Sequence, residues 1–141
     1  MAVVPVEVWE TLTHTTIERK QLRTDSGGTG RWRGGLGQEV VLRNDTGHPL
    51  TILGMGNRWL FPAKGVFGGG DGTLRVHAID GEPVHAKGRL EVAPDQRITV
   101  TEAGGAGYGD PRERDREAVA FDVANGFVSR EAAQTAYGWR E

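Results

Sequence analysis

The sequence has 141 residues, 22 glycines, no cysteine, a hydrophobic fraction of 37% and a formal net charge of −2. Its bases interleave with acids, as in Arg112-Glu113-Arg114-Asp115-Arg116-Glu117, which excludes the basic face needed for nucleic acid or an anionic membrane. The lack of cysteine excludes disulfides, a thiolate nucleophile and cysteine-type zinc sites. No basic leader or apolar run near the ~20 residues of a membrane span is visible. The expectation is a cytoplasmic protein of one domain, residues 1–141, burying roughly 65–70% of its unfolded surface.

In chain order, Val6-Glu7-Val8-Trp9-Glu10 alternates with period two and reads as a first strand. Thr15–Leu22 reads as a second. Glu39–Asn44 and Leu50–Met55 flank the turn-forming Asp45-Thr46-Gly47-His48-Pro49 and predict a hairpin. Thr73–Ile79 and Val84–Leu90 flank Asp80-Gly81-Glu82-Pro83 and predict another, and Arg97–Glu102 closes the β region. About seven strands with short turns point to a mainly β fold, an antiparallel sandwich or partly closed barrel. The period then changes. Asp115 is placed to cap a helix that stops at Asn125-Gly126, with Asp110-Pro111 a rival start, and Ser129 caps a second short helix from Arg130 to Tyr137, ended by Gly138.

Fifteen of the 22 glycines fall in three stretches, 26–37, 65–72 and 104–111. Ordering so many glycines is entropically expensive. Each stretch nevertheless carries a bulky residue (Trp32, Phe67, Tyr108) and a charged one (Arg33, Asp71, Asp110), unlike a flexible Gly/Ser linker. They read as ordered, polyproline-II-like segments whose backbones pack closer than a Cβ permits.

Candidate chemistry is sparse. Gly68-Gly69-Gly70-Asp71-Gly72 invites a phosphate-loop reading, but Gly-Lys-Ser/Thr opening a helix is missing and Thr73-Leu74-Arg75-Val76 opens a strand, so close packing is preferred. His77 and His85 lie on opposite arms of one predicted hairpin, yet two histidines without a third ligand make a poor metal site. Ser26 lacks a nucleophile elbow and fits a turn. Arg31, Trp32 and Arg33 are of the residue types that anchor interfaces and bind carboxylates, and Trp59-Leu60-Phe61-Pro62 would add apolar contact area. Partner contact and internal packing both remain open for them. The residues set aside for interface or close packing are therefore Arg31, Trp32, Arg33, Trp59, Phe67, Gly68, Gly69, Gly70, Gly104, Gly105, Gly107 and Tyr108, with no catalytic, cofactor or metal residue assigned. A β-sandwich module binding a small ligand through Trp32 and Trp59 is a separate reading.

The three glycine motifs in this order, with the tail from Asp122-Val123 through Gly126-Phe127-Val128-Ser129 to Tyr137-Gly138, resemble the C-terminal region of the hydantoinase B family. That family includes N-methylhydantoinase B, ATP-dependent 5-oxoprolinase and the acetone and acetophenone carboxylases. The resemblance runs from about Pro5 to Tyr137, with Ala106 standing where a glycine is usual. Family members are several times longer, and a piece of this size is similar to the small subunit of acetophenone carboxylases. The resemblance implies a non-catalytic structural subunit of an ATP-dependent complex carboxylating acetophenone to benzoylacetate, or the equivalent part of a hydantoinase or 5-oxoprolinase. It implies a larger hydantoinase B-like partner and hydantoinase A-like kinase subunits, which would hold ATP and a divalent metal.

Overall fold

The structure, a computed structural model, describes residues 4–140. Backbone contacts divide it into two compact units. The first takes in the chain through Gln21, Glu39–Asn57 and Val76–Thr101, and the second Leu22–Gln38, Arg58–Arg75 and the chain from Glu102 onward.

The first unit holds helix α1 (Val6–Thr13) and seven strands: β1 (Thr15–Leu22), β2 (Gln38–Asn44), β3 (Leu50–Met55), β4 (Val76–Ile79), β5 (Glu82–Val84), β6 (Lys87–Val92) and β7 (Arg97–Thr101). One sheet has the order β1-β2-β7-β4-β5 and a second consists of β3 and β6. The β2–β7, β7–β4, β4–β5 and β3–β6 pairs are antiparallel. The architecture is mainly β and sandwich-like, without a closed barrel. Val41, Val92 and Ile98 are its buried apolar centre. A cleft of about 380 Å³ between α1 and strands of both sheets is lined by Trp9, Leu42, Leu50, Ile52 and Val100 among others.

Three expectations are corrected. The first predicted strand, Val6–Glu10, is helical: α1 continues to Thr13, where Thr11 and Thr13 hydroxyls donate to the Glu7 and Trp9 carbonyls (2.7 and 2.8 Å). Five alternating residues are too few to separate the two periods. Glu10 Oε1 then accepts from the Ile17 N–H at 2.7 Å, tying the helix to β1.

Second, β2 and β3 are not a hairpin. Asn44 makes the segment between them a corner where the chain changes sheets. Its Oδ1 accepts from the Thr46 N–H (3.1 Å) and hydroxyl (2.7 Å), and its Nδ2 donates to the carbonyls of His48 (2.8 Å) and Val92 (3.0 Å). This Asx turn sends β3 to β6 and leaves β2 to pair with β7.

Third, the predicted strand Val84–Leu90 is two. β5 closes a tight Asp80-Gly81 turn with positive φ at both residues (48° and 87°). The chain bends at His85-Ala86, and β6 joins the other sheet. His77 consequently faces Val84 in the register, not His85. The total of seven strands survives because one was lost and one was divided.

The second unit has three irregular glycine-rich segments, a 3₁₀ turn (Pro111–Glu113), α2 (Arg116–Ala124) and α3 (Arg130–Tyr137). The rival caps both operate, on different elements: Asp110 accepts from the Arg112 N–H (2.9 Å) and Asp115 from the Ala118 N–H (3.0 Å). Ser129 caps α3 through the Ala132 N–H (3.0 Å), and Gly138 ends it at φ 62°. Val119, Val128, Ala133 and Tyr137 form the core of this helical part. Among the described residues no helix is long and apolar enough to cross a membrane.

Asn44 is 2% exposed, so Asn44→Ala leaves the Val92 carbonyl buried without its donor. The substitution should lower unfolding free energy by about 2–3 kcal/mol, read as a lower denaturant midpoint at unchanged slope.

Candidate functional site

The glycine segments of the second unit cross one another through backbone alone. The Gly28 N–H donates to Gly105 O (2.8 Å), Gly105 N–H to Gly35 O (2.8 Å), Gly107 N–H to Gly70 O (2.9 Å), and Gly70 N–H to Thr29 O (2.6 Å). Each segment thereby satisfies amides of the next, as buried main chain must. The spacing leaves no room for side chains. A Cβ on Gly104 would overlap the Ser26 carbonyl, one on Gly107 the Thr29 carbonyl, one on Gly34 the Gly105 carbonyl, and one on Gly69 the Gly107 carbonyl. Ser26, 1% exposed, pins the entry to the bundle. Its hydroxyl donates to Arg23 O (2.6 Å) and accepts the Gly37 N–H (2.8 Å).

Three segments meet at Tyr108. Tyr108 and Trp32 exchange N–H to carbonyl bonds (2.9 and 3.0 Å), while the Val66 N–H donates to Gly107 O (3.2 Å) and the Val66 carbonyl accepts from the Gly109 N–H (2.9 Å). These bonds bring aromatic residues from separate stretches together. The Phe67 and Tyr108 rings meet edge to face with centroids 5.2 Å apart. All of these side chains face outward: Trp32 is 64% exposed, Phe67 75% and Tyr108 51%, with Val66 exposed beside them. They make an apolar ridge on a backbone that has no freedom to retract it.

Phe67 is held in an unusual conformation. Its φ is 52° and that of Gly68 is 88°, with the Gly69 N–H donating to Val66 O (3.1 Å), the φ pattern of a type I′ turn. A bulky residue in the left-handed region is strained by about 1–3 kcal/mol. A clasp across the same segment holds it: Asp71 accepts from Lys64 Nζ (2.6 Å) and from the Gly65 N–H (2.9 Å). The Lys64 bond first, then the Gly65 amide, holds the Asp71 carboxyl below its ordinary range.

The cationic residues of the Arg31-Trp32-Arg33 motif separate. Arg31 is exposed and pairs with Glu113 at 3.7 Å. Arg33 turns inward, donating from Nε and Nη2 to Asp122 (2.9 and 3.2 Å), with its guanidinium 5.7 Å from the Phe127 ring centre. Arg114 Nη2 reaches the same carboxylate at 2.9 Å, and its Nη1 donates to Arg31 O (3.2 Å). Asp122 is 3% exposed, so this triad is an internal tie between bundle and helices, and losing one partner would strand a buried charge. Neighbouring Tyr137 has its phenol pushed above its ordinary value by burial. Trp59 is half-buried, whereas Leu60 and Phe61 are exposed. The roles of Asp122, Arg114, Val66 and Lys64 were missed in the sequence. Arg33 and Asp122 are 89 residues apart, with no local pattern linking them.

In the first unit, Glu18 bridges Arg97 (2.8 Å) and Arg43 (3.6 Å), and Arg43 also pairs with Asp45 (2.6 Å). Hydrogen bonding by Arg43, then by Thr16, holds the Asp45 carboxyl below its ordinary value, and the Asp45 bond raises Arg43. Among the described residues no group of three or more histidine, aspartate or glutamate side chains converges to hold a metal ion.

The chain matches the sequence profile described as Hydantoinase B/oxoprolinase over residues 1–111. Caprolactamase subunit beta of Pseudomonas jessenii is 35% identical over 142 residues, an alignment covering 94% of this chain and 24% of that protein. The acetone carboxylase alpha subunit of Xanthobacter autotrophicus is 25% identical over 171 residues, covering 94% and 22% respectively. The crystal structure of ATP-dependent caprolactamase from Pseudomonas jessenii superposes with a TM-score of 0.78 at 30% identity, over 97% of this chain and 25% of that one. The chain thus spans about a quarter of the length of these relatives.

Two measurements test the bundle. Gly107→Ala should lower stability by about 3 kcal/mol or more, because the Thr29 carbonyl is backbone and has nowhere to move. Gly35→Ala, with nothing within 4 Å of the added methyl, should be neutral or stabilising by up to about 1 kcal/mol. The Asp71 clasp predicts a pH signature. Because its carboxyl is held down in the folded state, its contribution is present above the ordinary aspartate value and lost as pH falls through the folded-state value. The melting-temperature gap between the parent chain and Asp71→Asn should therefore be present at neutral pH and close as pH falls below the ordinary aspartate range of about 4.

Proposed function

The chain belongs to the hydantoinase B/oxoprolinase family, and from that premise we propose that it is a structural subunit of an ATP-dependent complex. In that complex it supplies the C-terminal portion of a hydantoinase B-like architecture whose remainder is a larger partner chain. The observation that carries this reading is the match of almost the whole chain to about a quarter of caprolactamase subunit beta. Hydantoinase A-like subunits would hold ATP and a divalent metal, and this chain would hold neither. Its contribution is a rigid main-chain bundle, with Arg33, Asp122 and Arg114 fixing it to α2. The assembly is a cytoplasmic hetero-oligomer on this reading.

Two substrate classes fit the family. One is carboxylation of an aromatic ketone, acetophenone with bicarbonate to benzoylacetate. The other is hydrolysis of a cyclic amide, as in a hydantoinase or 5-oxoprolinase. Identity of 35% to caprolactamase subunit beta against 25% to the acetone carboxylase alpha subunit favours the cyclic amide.

Purification of the tagged chain from its own host, with mass spectrometry of what accompanies it, tests the assembly. The expected result is a larger hydantoinase B-like chain together with a hydantoinase A-like chain at fixed stoichiometry. The assembly should hydrolyse ATP in response to a lactam or hydantoin. Stimulation by acetophenone with bicarbonate instead would select carboxylation. A chain that purifies without either partner and binds a small ligand by itself would overturn the proposal in favour of an independent binding module.

A further inference from the structure

We infer that the ridge of Trp32, Val66, Phe67 and Tyr108 is the surface on which the larger hydantoinase B-like chain docks, through an apolar face of that chain. The inference rests on the subunit reading above and adds to it a location and a chemistry.

Three observations carry it. The first is strain aimed at solvent. Phe67 occupies the left-handed region at φ 52° and is 75% exposed. In the chain alone, a strained backbone thus displays a ring whose ring contact is with a Tyr108 that is itself half exposed. The Asp71 clasp and the turn's own backbone bond hold the segment in place, but the ring gains no burial from it, whereas a partner covering the ring would offset the strain.

The second is charge. Arg31, next to Trp32, is paired with Glu113, and Lys64, close to Val66, is paired with Asp71. In these two pairs the flanking cations are matched by acids, leaving aromatic and aliphatic surface as the main thing the ridge offers. Large aromatic anchors with a polar rim are the composition of an interface centre. A nucleotide, a phosphate or an acidic peptide would find no unmatched cation in these pairs.

The third is preorganisation. The ridge residues come from three separate segments and are locked by the Trp32–Tyr108 and Val66–Tyr108 backbone pairs. Docking on them therefore requires little further ordering of this chain. The relatives supply the occupant: in them this same fold is about a quarter of a longer architecture, and the remaining part is what the proposed larger partner provides.

The test co-expresses the tagged 141-residue chain with a larger hydantoinase B-like chain from the same genome and measures the amount captured. Phe67→Asn places an Asn–Gly pair, the favoured dipeptide of a type I′ turn, and so relieves strain while removing the ring. It should leave the melting temperature of the isolated chain unchanged or higher, yet cut capture at least tenfold. Trp32→Glu should do likewise to capture, whereas Met55→Glu, at an exposed apolar residue of the other unit, should leave it unchanged. Hydroxyl-radical footprinting of the parent complex gives a readout without substitutions: labelling of Trp32, Phe67 and Tyr108 should fall on binding. Capture undiminished in both Phe67→Asn and Trp32→Glu, loss of capture in Met55→Glu, or unchanged footprints would overturn the docking surface while leaving the subunit reading intact. Failure of the parent chain to capture the larger chain at all would overturn the subunit reading and this inference with it.

Discussion

Three lengths of main chain in the second unit lie so close that carbonyl oxygens occupy the space where β-carbons would stand. Ser26, Thr29, Gly105 and Gly107 present their carbonyls to Gly104, Gly107, Gly34 and Gly69. The amides of Gly28, Gly70, Gly105 and Gly107 are spent on bonds between segments. A bundle of this kind has no side-chain core of its own. Its stability comes from satisfied backbone groups and from the elements tied to it, and its glycines are demanded by geometry.

The remaining features of that unit follow from the constraint. Since the bundle interior excludes side chains, the aromatic residues of the glycine segments are forced outward. Trp32, Phe67 and Tyr108 therefore stand on the surface, while the apolar core of the unit is built elsewhere, from Val119, Val128, Ala133 and Tyr137. The join between bundle and helices combines hydrogen bonds linking Thr24 and Asp25 to the turn at residues 126–129 with a buried ionic tie. Arg33 and Arg114 share the Asp122 carboxylate in a setting nearly closed to water. Such a triad adds less net stability than an apolar contact of the same size, but its fork geometry fixes register. The outward aromatics and inward arginine thus come from adjacent residues of one motif, with opposite roles.

In the relatives this division of labour belongs to about one quarter of a longer architecture. The first unit is an antiparallel sandwich-like domain whose charged surface residues pair with one another, Glu18 with Arg97 and Arg43 with Asp45. The second offers a stiff surface whose apolar area is unspent. Membership of the hydantoinase B/oxoprolinase family, with relatives about four times as long, supplies a context in which such a surface has a use.

Much of this was legible in the residues, for reasons that differ by element. The helix caps at Asp115 and Ser129 and the stop at Gly138 were readable because capping is local chemistry, decided within three or four residues. The strands β1, β2, β3 and β7 were readable as β-rich runs. Their partners were not. Asn44 converts an apparent hairpin loop into a sheet-changing corner by bonding the carbonyl of Val92, 48 residues away. Glycine spacing and bulky punctuation marked the three stretches as ordered. Which aromatic points out and which arginine turns in, and that Asp122 waits for Arg33, depend on groups brought together from distant parts of the chain. The amino-acid sequence by itself determined where backbone is bare, where helices begin and end, and what family the chain resembles, because those are properties of neighbours along the chain. Tertiary structure alone decided strand partnership, the buried triad and the exposed ridge, because each arises from contacts across tens of residues that no local period encodes.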